Sequence, residues 1–131
     1  MVASATRYPL NVTAKHLVDR LVVAHHLAQA DRIVEARDEL LVVADAAEEA
    51  GDKPTSIGAK RRATMLHVLI WARERWPAEE IGEHDIEYRQ LVRKGRSRLE
   101  LSVRRRWTDP RSWVYVTVGR RGGDIREEKL P

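Results

Sequence analysis

The stretch Arg98–Val118, RLELSVRRRWTDPRSWVYVTV, decides the fold class. Before it, apolar residues recur at helical spacing; within it they fall at every second place. Leu99, Leu101 and Val103 point one way, while Arg98, Glu100, Ser102, Arg104 and Arg106 point the other. A period of two marks a strand with one covered face, because successive side chains leave a pleated backbone on opposite sides. Thr108-Asp109-Pro110-Arg111 reads as a turn: proline presets φ and the aspartate side chain can bond the nearby backbone. Trp113–Val118 alternates again, with Val114, Val116 and Val118 on one face and Trp113, Tyr115 and Thr117 on the other. Ile86–Arg93, joined through Lys94-Gly95-Arg96, completes the expected three-stranded antiparallel meander with one buried and one open face.

Toward the N-terminus the period lengthens to that of a helix. Leu17, Val18, Leu21, Val22, His25 and Ala28 form one stripe over residues 14–28, with Asn11 or Thr13 as its cap. Asp31 offers a cap for the next stripe, Ile33, Ala36, Leu40, Leu41, Ala44 and Ala47; whether Ala30-Asp31 breaks one long helix is open at this level. Gly51 is a left-handed stop, and GDKPTS (51–56) reads as a linker. Thr55 or Ser56 then caps a third helix to about Trp76, apolar on much of its girth and so central. Pro77 ends it, and residues 77–82 admit one further helical turn. The polar end, 120–131, reads as a mobile tail.

The expectation is therefore an α+β fold: an N-terminal three-helix bundle packed on a C-terminal three-stranded antiparallel β-meander. It forms one domain over 1–131, with a helical part at 11–76 and a basic sheet at 86–119. Trp71 and Trp76 are expected to anchor the central helix, or to mark the interface of a homodimer.

With no cysteine, disulfides and thiolate metal sites are excluded. The start, MVASATRYPL, lacks the apolar core of a signal peptide, and the apolar runs are too short to span a membrane. A cytoplasmic protein with no membrane contact is expected. The net charge is +4, unevenly divided. Residues 1–52 hold 5 basic and 9 acidic side chains, whereas 86–121 hold 11 basic and 3 acidic. Clustered cations attract polyanions by steering and by counterion release.

If the valines of the last strand face the helices, Trp113 and Tyr115 share the open face with Arg98, Arg104 and Arg106. Rings can stack bases at about 1–3 kcal/mol each while guanidinium groups hold phosphates. The first expectation is thus a small non-enzymatic nucleic-acid-binding protein, DNA being favoured over RNA. Arg98, Arg104, Arg105, Arg106 and Arg111 would contact phosphates, Trp113 and Tyr115 would stack, and Lys60, Arg61 and Arg62 would extend the track. The alternative is a protein-interaction module, with the basic ribbon docked on an acidic partner. No catalytic residue, metal site or cofactor is assigned.

Two resemblances accompany this reading. The basic strand, the Asp109-Pro110-Arg111 turn and the β-branched strand, Val103 to Val118, resemble the wing of a winged helix-turn-helix regulator. That resemblance implies that Asp85 to about Lys94 is a recognition helix, with Ile86, Gln90, Leu91 and Lys94 at compatible spacing. Arg62-Ala-Thr-Met-Leu-His67 is similar to the Arg-x4-His motif of an all-helical RNase family. It implies a composite active site at a dimer interface, with His67 as general acid or base and Arg62 stabilising the charged intermediate. Of the other histidines, His25 on the apolar stripe reads as a buried or interface residue, and His84 sits between Glu83 and Asp85. Glu79/Glu80 and Glu48/Glu49 read as solvated charge, and the Glu127-Glu128-Lys129 end as lacking a partner.

Overall fold

A computed structural model describes residues 10–93, 96–106, 113–119 and 124–128. The element order is α1 (Leu10–Gln29), α2 (Ile33–Glu49), α3 (Lys53–Arg75), a 3-10 turn (Glu83–Asp85), β1 (Ile86–Arg93), β2 (Arg96–Arg104), β3 (Trp113–Val118) and β4 (Ile125–Glu128). Three helices precede one antiparallel sheet of order β1-β2-β3-β4, an α+β fold. The chain divides into two compact units, 1–63 and 64–131, with α3 beginning in the first and ending in the second.

In the first unit, α1 and α2 are separate helices, and both end in the same way. Beyond α2 the Asp52 N–H donates to the Ala47 carbonyl (2.8 Å) and Gly51 N–H to Glu48 (3.1 Å), with Gly51 at φ 77°. Beyond α1 the Arg32 N–H donates to Leu27 (2.9 Å) and Asp31 N–H to Ala28 (3.1 Å), with Asp31 at φ 61°. Both are Schellman ends, in which a left-handed residue turns the chain so that late carbonyls find donors. Asp31, expected as a cap, is instead that left-handed residue; aspartate is among the few non-glycine residues that visit the region. The cap position of α2 falls to Arg32, which makes no side-chain cap bond.

Two further starts differ from expectation. Helix α1 already includes Asn11 and Thr13, so neither caps it. Helix α3 begins at Lys53, inside the expected linker, because the Asp52 carboxylate accepts the Thr55 N–H (3.3 Å). Pro54 fits in this first turn, where its missing N–H would have had no helical partner.

The buried apolar side chains described in this unit are Leu17, Ala24, Ile33, Ala36, Leu40, Val43, Ala44, Ala47, Ala59 and Ala63. Six are alanines, which suit close backbone approach. The stripes are rotated slightly from expectation: Val43 is inside and Leu41 outside, and Val18, Val22 and His25 face solvent.

In the second unit the ranges of β1 and β3 are those expected, and β2 is shifted to 96–104. Register fixes the faces. Ile86↔Val103, Tyr88↔Leu101, Leu101↔Val116 and Val103↔Val114 place one apolar set together. Leu101, Val103 and Val116 are fully buried, with Leu66, Val68, Leu69 and Ala72 of α3 likewise inside. The strand Ile86–Arg93 replaces the recognition helix that the winged-helix resemblance requires, so that resemblance fails. Residues 77–82 form hydrogen-bonded turns, not a helical turn; the 3-10 turn comes later, at 83–85.

A fourth strand corrects the meander and the expected mobile tail. Ile125–Glu128 pairs with β3 through Val118↔Ile125, Thr117↔Arg126, Val116↔Glu127 and Tyr115↔Glu128. IREE has one apolar residue in four, too little for a period to be seen. What holds it is the otherwise open backbone edge of β3 and an ion pair from Glu127 to Arg75 of α3 (2.9 Å). Residues 94–95 of the expected Lys94-Gly95-Arg96 connection, and the whole of the expected Thr108–Arg111 turn, lie outside the described residues. Among described residues, no helix is long and apolar enough to cross a membrane.

Candidate functional site

The outward sheet face is set by the register Ser102↔Tyr115 and Arg104↔Trp113. Trp113 and Tyr115, two apart on β3, stand on one side, partly buried, with Arg104 beside them. The Arg104 guanidinium lies 5.6 Å from the Trp113 ring centroid, a cation–π contact. Thr117 and Arg126 continue the same face by register. Ser102 does too, but it is fully buried and its Oγ has no hydrogen-bond partner. Its neighbours across both ladders, Glu87 and Tyr115, flank it.

Carboxylates hold the arginines from behind. Asp85, 2% exposed, is the hub of the turn into β1. Its Oδ2 accepts the Gly82 N–H (2.9 Å) and its Oδ1 accepts from Arg104 Nε (3.3 Å). His84 Nε2 stands 3.4 Å from the same carboxylate. A Cβ at Gly82 would come within 2.7 Å of the His84 ring, so the exposed His84 side chain would have to move to admit one.

Arg105 and Arg106 follow the end of β2, so Arg106 does not share the strand's alternation. Both turn to Glu79, at 3.6 Å and 2.9 Å. Glu79, expected as solvated charge, has a side chain only 16% exposed. The Arg105 guanidinium also lies 4.7 Å over the Trp76 ring, and its buried Nε has no hydrogen-bond partner. Trp76 meets Trp71 edge-to-face at 5.4 Å, and Arg75 lies over both rings. The second unit thus carries a cluster of Trp71, Trp76, Arg75 and Arg105, with Arg105 held by Glu79 and Arg75 by Glu127.

The remaining expected site residues fall elsewhere. Lys60, Arg61 and Arg62 belong to the first unit: Lys60 bridges Glu48 (3.2 Å), Arg61 is exposed, and Arg62 stands 3.2 Å from His25 Nδ1. Arg98 is on β2, with its side chain outside the described residues, as is the whole of Arg111. Arg62 and His67 are five apart on α3, which separates their directions by about 140°; the sheet also has no counterpart in an all-helical RNase. An open depression lined by Arg73, Pro77, Glu79, Glu80, Ile81 and Gly82 adjoins the hub, with Arg73 Nε already donating to the Ile81 carbonyl (2.8 Å). Among the described residues no three His, Asp or Glu side chains stand together as metal ligands would.

Asp85 and Glu79 are the residues that sequence reasoning missed. Asp85 could have been suspected from its place at the change of period, between Gly82 and the first strand. Glu79 had no such signal, since only the fold brings it to Arg105 and Arg106. No protein-family model matches the chain, and no curated protein or solved structure matches it.

Proposed function

We propose that the chain is a non-enzymatic protein-interaction module whose contact surface is the outward sheet face at Arg104, Trp113 and Tyr115. The observation that carries this over a polyanion ligand is that Arg104, Arg105 and Arg106 already meet carboxylates. Drawing Arg104 onto a phosphate would strip a buried Asp85 of its cation, a change of about 3–5 kcal/mol against folding. One charged hydrogen bond to the phosphate returns only about 1.5–3 kcal/mol. The residue types also fit: Trp, Tyr and Arg are the ones enriched at the energetic centres of protein interfaces. With three arginines sharing Asp85 and Glu79, most of the positive charge is already met within the chain, so the face suits a partner of mixed polarity and a strictly acidic one is not required.

Affinity capture after nuclease treatment tests this. A stoichiometric protein is expected that is lost with Trp113→Ala or Tyr115→Ala and retained with Arg106→Ala. Capture that vanishes with the nuclease overturns the proposal.

A second reading, nucleic-acid binding, is supported by the Arg104–Trp113 stack beside Tyr115 and by the excess of cations over 86–121. It requires log affinity to fall with log salt at about −0.9 per phosphate neutralised on duplex DNA. Arg104→Ala with Arg106→Ala should flatten that slope, and equal binding at low and high salt eliminates the reading. Probes of duplex DNA, single-stranded DNA and RNA distinguish the ligand.

A further inference from the structure

Two outward rows of the first unit match one another. On α2, Val34, Asp38, Leu41, Asp45 and Glu48 follow at spacings of four and three, so they form one line along the helix, opposite the buried Ile33, Ala36, Leu40 and Ala47. Val34 is 49% and Leu41 45% exposed. This helix holds six carboxylates and one guanidinium. On α3, Lys53, Ile57 and Lys60 form a second exposed line by the same spacing, with Arg61 beside it, and Ile57 is 48% exposed. One row is aliphatic and acidic; the other is aliphatic and basic. They adjoin where Lys60 reaches Glu48 at 3.2 Å.

We infer that a second copy of this chain covers this surface in a twofold pair, the α2 row of each copy lying on the α3 row of the other. A twofold interface uses one patch on both subunits, so that patch must be its own complement. This one is: an acid-bearing and a base-bearing row, each carrying aliphatic side chains, stand side by side on a single unit. The internal Lys60–Glu48 bridge illustrates the pairing that the two rows permit. In the dimer, Asp38 and Asp45 face the lysines of the opposite α3, while Val34, Leu41 and Ile57 leave water. The aliphatic part supplies affinity and the charges set the register. This inference stands apart from the sheet face and survives if that face takes a different ligand.

Sedimentation equilibrium of the full chain through the micromolar range tests it. The wild type is expected as a dimer, and Leu41→Glu or Ile57→Glu should weaken it by about tenfold or more. Both positions are half exposed, and an unchanged circular dichroism spectrum and melting curve would show that the fold persists. A second arm does not depend on losing association. The double variants Asp38→Lys/Asp45→Lys and Lys53→Glu/Lys60→Glu should each be monomeric, yet form a heterodimer on mixing, because one contact is then reversed and matched while the other is the native acid-on-base contact. A monomeric wild type, a dimer indifferent to Leu41→Glu, or no heterodimer on mixing overturns the inference.

Discussion

Lys60 and Glu48, in the first unit, meet at 3.2 Å with half or more of each side chain in solvent. Arg104 and Asp85, in the second, meet at 3.3 Å with the carboxylate side chain 1% exposed. The distances are alike, but the consequences differ. The first pair exchanges hydration for a contact in nearly bulk dielectric, worth about 0–1 kcal/mol. In the second the carboxylate has been removed from water, so it depends on its cation. The helical unit is held by alanine-lined packing with a part-buried ion pair, Arg20–Glu39 (2.5 Å), joining α1 to α2, while pairs such as Lys60–Glu48 decorate its surface. In the sheet unit, charge is part of the framework: Asp85 ties turn to strand, Glu79 holds two arginines, and Glu127 secures the last strand to α3.

The largest expected effect lies at Asp85. Asp85→Ala should cost about 3–5 kcal/mol, since it leaves Arg104 and the Gly82 N–H without their acceptor; urea denaturation measures it. A loss below about 1 kcal/mol, the range of an exposed pair, would erase the contrast between the units.

Gly51→Val comes next, with an expected loss of about 1–2 kcal/mol from forcing a β-branched residue into the left-handed region. The same urea titration reads it, and an unchanged midpoint would mean that α2 does not need that stop. Ser102→Ala should instead raise stability by about 1 kcal/mol, because the buried hydroxyl has no hydrogen-bond partner to lose. A marked loss would show that the hydroxyl is satisfied.

Asp31→Gly should stabilise by about 0.5–1 kcal/mol, giving α1 the residue that α2 already has at the matching position. A drop in melting temperature would indicate that the aspartate side chain contributes more than the backbone strain costs. The smallest change is Glu48→Gln, expected within about 0.5 kcal/mol and fading with added salt. A larger, salt-resistant loss would show that this exposed pair, too, is part of the framework of the helical unit.

How far the sequence could be read follows the same division. Alternation gave β3 its correct bounds, because a period of two sustained over a whole segment cannot be laid along one side of a helix. Strand β1 took its bounds from the change of period after Asp85 and from Lys94-Gly95-Arg96, and the equally clean alternation of β2 still left its ends two residues out. Helix ends were harder. Gly51 announces itself, while Asp31 does not, since aspartate serves equally at a cap, in a turn or in the left-handed region. Strand β4 was invisible for want of apolar residues: its pairing comes from backbone groups on the edge of β3, which every sequence carries alike. The face shared by Arg104, Trp113 and Tyr115 was legible from alternation alone. That Asp85 and Glu79 stand behind the arginines was not, because Glu79 is 27 residues from Arg106 and Asp85 is 19 from Arg104.

By itself, then, the order of residues determined the class of fold, the sense of the two faces of β2 and β3 and the uneven spread of charge. These depend on local spacing, to which a pleated or helical backbone responds directly. Only the tertiary structure decided which cations are already spoken for, which hydroxyl is stranded, and which polar tail becomes a strand. Those outcomes rest on contacts between segments far apart in the chain, where Coulombic and hydrogen-bond energies depend on distance and burial, and neither is written in the spacing of residues.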